Sequence, residues 1–379
     1  MKAQAFLSLP YLFAASLLWQ GCGGKGESNQ GKGGEGSGES STPVFVTSIF
    51  QDTAAIQAHL DVAAVNESAF AKAIREKFPE QQKQIEDLAA DAQEFFNALD
   101  LKPEDFVEFA FVLGSLDFVR DGLDELPEDV PVAIALKVKT GVDINKLLDL
   151  AASEADEEDK LELQKVRDTV VEFKGASVYT VPVPDWGEDR SFLVAHKFYD
   201  GATYVFAGDE STVKTALSSG KPGSPAEGAG IQSRLPKSKV GWLAVELPDG
   251  LLDQFQEDAA ENPFLNGVAN LLSQIQGLGL SGNVTDSFPM QVRIAFTGEN
   301  PAQSATQGAA AVNGILGFLR LGAIKDPAAF PPFFNSLTVA AEGQDIVVNV
   351  TFTMADVEYA QKKAEDALSP VSAPSLENE

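Results

Sequence analysis

Apolar and polar residues alternate along several short segments, and a period of two is the signature of a β-strand with one buried face. Ile346, Val348, Val350 and Phe352 interleave with Val347, Asn349, Thr351 and Thr353, and Val132, Ile134, Leu136 and Val138 repeat the pattern. Two hairpins follow. Phe192 to Tyr199 and Ala202 to Ala207 flank Asp200-Gly201, a pair suited to the positive φ angles of a two-residue turn. Leu337 to Ala341 and Ile346 to Phe352 flank Glu342-Gly343-Gln344-Asp345.

Elsewhere the period lengthens to that of a helix. Phe70, Ala73, Ile74 and Phe78, then Ile85, Leu88, Ala92, Phe95 and Leu99, recur at spacings of three and four and form apolar stripes expected to face a core. Leu147 to Ala151, Val213 to Leu217, Leu251 to Ile275 and Ala302 to Leu319 predict further helices. The order strand, helices, two strands, helix, hairpin, helix occurs from Ile56 to Leu217 and again from Val240 to Leu368. Thr140-Gly141 and Thr297-Gly298 end matching strands, Gly175 and Gly343 sit at matching turns, and Asp209 and Asp356 open the last helices.

The expected fold is therefore α+β, with two similar halves, each a largely antiparallel sheet packed by helices. The halves cover residues 44–219 and 239–368, joined by a Gly-, Pro- and Ser-rich linker at 220–238 and followed by a polar tail at 369–379. On this matching, the hairpin Phe192 to Ala207 is an insertion in the first half.

The first residues read differently. Lys2 precedes a mostly apolar stretch, Ala3 to Trp19, which stops at Gln20-Gly21-Cys22. That is the charge and apolar pattern of an export signal, and it is shorter than the roughly 20 residues a membrane span needs. Leu17-Leu18-Trp19-Gln20-Gly21-Cys22 resembles the lipobox of bacterial lipoproteins, in which a small residue precedes a cysteine that is lipidated and becomes the new N-terminus. The resemblance implies a signal peptide at 1–21, lipid on Cys22 and, with Gly23 rather than an aspartate next, residence at the outer membrane of a two-membrane cell. Cys22 is the only cysteine, so the exported body has no internal disulfide. Residues 23–43 are rich in Gly, Ser, Glu and Lys, and a flexible coil of that length spans about 25 Å. The body after it loosely resembles bacterial envelope proteins built of duplicated strand-helix units.

Charge and residue usage narrow the chemistry. The formal net charge is -28, which repels phosphate backbones and argues against nucleic-acid binding. Two histidines are too few for a histidine-rich metal or haem site, so no metal or cofactor is expected. His59 falls on the polar side of the strand Ile56, Ala58, Leu60, where solvent exposure is expected. His196 alternates with Phe192, Val194 and Phe198, which predicts a half-buried packing role, with a lone general base as the alternative. Gly277-Leu278-Gly279-Leu280-Ser281-Gly282 matches G-x-G-x-x-G, yet it follows a predicted helix and precedes a predicted strand, the reverse of a dinucleotide-binding turn. It is expected to be a helix-to-strand turn.

Carboxylates cluster at Glu154, Asp156, Glu157, Glu158 and Asp159 and at Asp185, Glu188 and Asp189, where solvated faces are expected. Two segments are candidate partner contacts, with core packing as the competing role. One is Trp186, set among charges. The other is Phe330, Phe333 and Phe334, set between prolines. The expected function is a membrane-tethered, non-catalytic binding or structural module of the cell envelope, its partner an envelope protein, a glycan or an apolar ligand. The alternatives are a carboxylate-dependent hydrolase of envelope glycans, which needs two carboxylates placed about 5 to 9.5 Å apart, and a carrier of an apolar ligand.

Overall fold

A computed structural model of the chain describes residues 43–50, 54–77, 99–117, 127, 130–155, 157–182, 190–223, 231–236, 240–252 and 271–368. Cys22, Trp186, the apolar stripe from Ile85 to Phe95, most of the predicted helix from Leu251 and both tails lie outside these residues.

Twelve strands form one antiparallel sheet. They are β1 (Ile56–Asp61), β2 (Phe106–Leu113), β3 (Val132–Val138), β4 (Val171–Phe173), β5 (Ala176–Pro182), β6 (Ser191–Tyr199), β7 (Ala202–Gly208), β8 (Gly241–Glu246), β9 (Ile275–Gly282), β10 (Phe288–Phe296), β11 (Thr338–Glu342) and β12 (Asp345–Phe352). Among the described residues the helices are α1 (Val62–Glu67), α2 (Ala69–Lys77), α3 (Ile144–Glu154), α4 (Glu157–Asp168), α5 (Glu210–Ser219), α6 (Ile231–Arg234), α7 (Pro301–Lys325) and α8 (Met354–Leu368). The α+β class is as the sequence predicts.

Across the sheet the order is β11-β12-β10-β9-β8-β1-β2-β3-β7-β6-β5-β4. The two halves do not make separate sheets, because β1 pairs with β8 and places Ala58 opposite Leu243. Read outward from that central pair, each half runs through three antiparallel strands and then the returning hairpin. β7 lies beside β3 as β12 lies beside β10. This corrects the expected insertion. The hairpin β6–β7 occupies the place of β11–β12, and the added pair is β4–β5 at the edge. In this strand order the hairpin placed as β11–β12 turns at Gly201 rather than at Gly175. The alternation could not separate them, since Lys174-Gly175 and Asp200-Gly201 both adopt the positive φ angles of a tight turn.

Both faces of the first half are covered, so its central strands are not one-sided. On one face the turn Val46–Ile49 and Val213, Ala216 and Leu217 of α5 pack on Ala110, Val112, Ala133, Ala135 and Phe206. On the other, Ile144, Leu147 and Leu148 of α3 and Val166 of α4 pack on Phe109, with Val194 and Val205 alongside. Ala133 and Ala135 look like the weaker side of β3 in sequence, but both are fully buried because small residues admit a closely packed layer.

In the second half, α6 places Ile231 and Leu235 on Ala244 and Ala295. On the opposite face, α7 packs Ala305 and Ala309 near Ile294, Ile346 and Val348. Gly277 to Gly282 is itself strand β9, which corrects the expected helix-to-strand turn. Its glycines are spacing devices: a Cβ on Gly277 would meet Val245 O at 2.8 Å, and one on Gly282 would meet Phe288 Cε2 at 2.7 Å. With small residues at alternate positions, helix α6 and neighbouring side chains come close to the strand backbone. Ile275, expected at the end of a helix, begins the same strand.

Candidate functional site

The polar groups on the sheet are where a hydrolase would be built. Side chains of β1, β2, β3 and β7 bring His59, Glu108, Lys137 and Tyr204 together. His59 Nε2 lies 3.7 Å from Glu108 Oε2, and Lys137 Nζ lies 3.2 Å from Glu108 Oε1. The hydrogen bond with His59 holds Glu108 below its ordinary carboxylate value despite the opposing effect of burial. Burial works against the charge on Lys137, but Glu108 outweighs it and the ammonium stays above its usual value. Lys137 also lies 5.6 Å from the centre of the Tyr204 ring. His59 is thus half-buried beside Glu108 rather than solvent-exposed, because Trp242, its partner across β1 and β8, shields it with ring centres 6.5 Å apart.

A second cluster closes the far end of the sheet. Asp345 is buried between Arg234 of α6, at 2.5 Å, and Arg293 of β10, at 3.1 Å, and Arg293 also meets Glu342 at 2.8 Å. These pairs fasten α6 and β10 to the β11–β12 turn. In neither cluster do two carboxylates face each other across open space, since Glu108 is matched by Lys137 and Glu342 shares Arg293 with Asp345. Among the described residues no group of three or more His, Cys, Asp or Glu is placed to hold a metal ion.

His196 is half-buried as the alternation predicts, stacked with Tyr179 at 6.0 Å between ring centres. Burial lowers its basicity below the ordinary imidazole value, with Asp143 partly opposing. No serine or cysteine nucleophile accompanies it in the sequence motifs, and among the described residues Nδ1 has no hydrogen-bond partner. The carboxylates from Glu157 to Asp159 begin α4, on which Lys160 pairs with Glu157 at 2.9 Å.

The three phenylalanines proposed as partner contacts make contacts within the chain. Phe334 is buried, and its ring centre lies 5.3 Å from that of Phe330. Phe333 packs on Phe352 at 5.0 Å. Phe330 and Phe333 are half-buried, and a Cβ on Gly322 of α7 would lie 3.3 Å from Phe330 Cζ.

Among the described residues, the C-terminal half of α7 lacks a partner. The helix opens with Pro301, whose fixed φ and missing N–H suit a first helical position. Its N-terminal half is sunk on the sheet through Ser304, Ala305, Gly308 and Ala309, and a Cβ on Gly308 would lie only 2.5 Å from Ile346 Cδ1. From Asn313 to Lys325, Leu316 is the one buried residue. Asn313 donates to Val339 O at 3.0 Å and Arg320 to Leu337 O at 2.6 Å, which ties the helix beside β11, the edge strand.

The remainder points outward and is apolar. Ile315 is 59% exposed, Phe318 77%, Leu319 37%, Leu321 62% and Ile324 76%. Leu278 and Leu280 of β9 are exposed too, on the sheet face that α7 covers at Ile294, the cross-strand neighbour of Leu278. No Asp or Glu occurs in α7, which carries Arg320 and Lys325 as its only charges. The sequence predicts the helix but not its bare face. The signal was available: small residues at 304, 305, 308 and 309 mark a buried side, whereas large apolar residues follow without the acids common elsewhere in the chain.

No family model matches the chain, and a search of the curated proteins finds no match. Among solved structures, crystal form I of TP0453 is similar over 85% of this chain and 98% of that chain, at 9% sequence identity and a TM-score of 0.34, a likeness too slight to carry an argument about function.

Proposed function

We propose that the chain is a lipid-anchored, non-catalytic binding module of the bacterial cell envelope. Acyl chains on Cys22 hold it to a membrane, the outer one in a two-membrane cell, and residues 23–43 space the body from that surface. The observation that carries the binding role is the bare apolar side of α7, where Phe318 and Ile324 are 77% and 76% exposed. Soluble domains ordinarily cover contiguous apolar surface, and a patch left open marks a site of interaction. The ion-paired state of Glu108, Glu342 and Asp345 supports binding over carboxylate catalysis.

The anchor is tested by expressing the full chain in bacteria fed an alkyne-bearing fatty acid. Wild-type chain is expected to take up the label and to begin at residue 22 by mass spectrometry, while Cys22→Ser takes up none. A wild-type chain that stays unlabelled and keeps its leader would sink the lipoprotein reading.

A further inference from the structure

We infer that the C-terminal half of α7 docks on an anionic lipid surface. This inference rests on the proposed envelope role and names what the bare face binds.

Geometry comes first. Ile315, Phe318, Leu321 and Ile324 recur every three residues, and three residues fall about 60° short of a full turn. The side chains therefore sweep around the helix, and with Leu316 and Leu319 they leave little of its circumference polar. A helix apolar nearly all round is ordinarily buried. Here it is not: Gly314 and Gly317 meet nothing within 4 Å where a Cβ would project. Residues 313–325 extend about 20 Å, enough to lie along an interface. No helix among the described residues is long and apolar enough to cross a membrane, so this one lies on the surface rather than spanning.

Charge selects the occupant. The chain carries a net charge of -28, yet α7 has Arg320 and Lys325 and no acid. Among the described residues neither cation is paired with a carboxylate. Anionic lipid repels most of this protein, so an acid-free apolar helix face bearing two cations sets an orientation in which the body can approach. A second copy fits less well. A two-fold contact through the stripe would gather four cations, Arg320 and Lys325 of each copy, in one desolvated interface with no acid from either helix.

The test uses the full chain with Cys22→Ser, which removes its only cysteine, and then one new cysteine at Phe318, Ile324 or Thr306 carrying a polarity-sensitive fluorophore. All three positions are exposed, so the substitutions leave the core intact. Vesicles of phosphatidylcholine with phosphatidylglycerol are compared with phosphatidylcholine alone. The emission of probes at 318 and 324 is expected to move to shorter wavelength on the anionic vesicles, and a probe at 306, on the sheet-bound half, to stay unchanged. Two cations near such a surface strengthen binding about thirtyfold over neutral vesicles, a preference that Arg320→Gln with Lys325→Gln abolishes. Two outcomes overturn the inference. One is an unchanged probe at both 318 and 324 on anionic vesicles. The other is a shift that follows protein concentration without lipid, which would assign the face to a second copy. Because Cys22 is absent from these chains, either result leaves the lipid anchor to its own labelling test.

Discussion

Gly279 of β9 lies so close to Leu235 that a Cβ on the glycine would meet Leu235 Cδ2 at 2.6 Å, with Ile231 Cγ1 at 3.0 Å. Both neighbours are buried, so neither has free space to move into. Gly279→Val is expected to destabilise the fold by about 1–3 kcal/mol through overpacking. Gly314→Ala should act in the opposite direction. Nothing stands where its Cβ would go, and alanine in a helix interior is favoured over glycine by about 1 kcal/mol. Urea unfolding midpoints of the two variants check both signs.

Arg190 and Asp209 form a second constraint, between the start of β6 and the start of α5. The guanidinium lies 3.1 Å from the carboxylate, its side chain only 4% exposed, and it also donates to Val130 O at 2.8 Å and Pro127 O at 3.0 Å. The other carboxylate oxygen of Asp209 accepts from the backbone N–H of Val132. Asp209→Ala breaks this pair beside a buried cation and is expected to cost about 3–5 kcal/mol. Adding Arg190→Met should cost less than the sum of the two single losses, and equilibrium unfolding of the three variants measures that coupling.

His196 makes stability depend on pH. Burial holds its native basicity below the ordinary value, so the unfolded chain takes up a proton at about pH 6.5 while the native imidazole is still neutral. Above that point both states are neutral and His196 contributes nothing. As pH falls below it, the native state loses stability until the native imidazole also titrates. His196→Gln should remove this part of the change in unfolding midpoint between about pH 7.5 and about pH 5.5. The NMR titration of the His196 ring, expected below the ordinary value, identifies the group responsible.

Legibility along the chain followed how much of each element's environment is local. β12 is predicted from alternating Ile346, Val348, Val350 and Phe352, and the turn of β6–β7 from Asp200-Gly201, because strand pleat and positive φ are properties of neighbouring residues. The same reasoning failed at β9. Its alternation is of glycine with leucine, and the glycines become strand-forming only once Ile231 and Leu235 fill the space above them. His59 looked exposed because polar neighbours in sequence do not reveal Trp242, which arrives from the other half of the chain.

By itself the sequence determined the α+β class, the hairpin turns, the helical stripe of Phe70, Ala73 and Ile74 and the acidic charge, and it singled out Cys22 as the candidate anchor. Each of these rests on backbone geometry, side-chain period or charge, which act over a few residues or on the whole surface at once. Tertiary structure alone decided that β1 and β8 join the halves into one sheet, that β4–β5 rather than β6–β7 is the added hairpin, and that α7 is covered at Ala305 and bare at Phe318. The physical reason is that strand partners and covered faces depend on which distant surfaces meet. Apolar residues report that burial is favourable, and only the assembled fold shows where no neighbour remains to provide it.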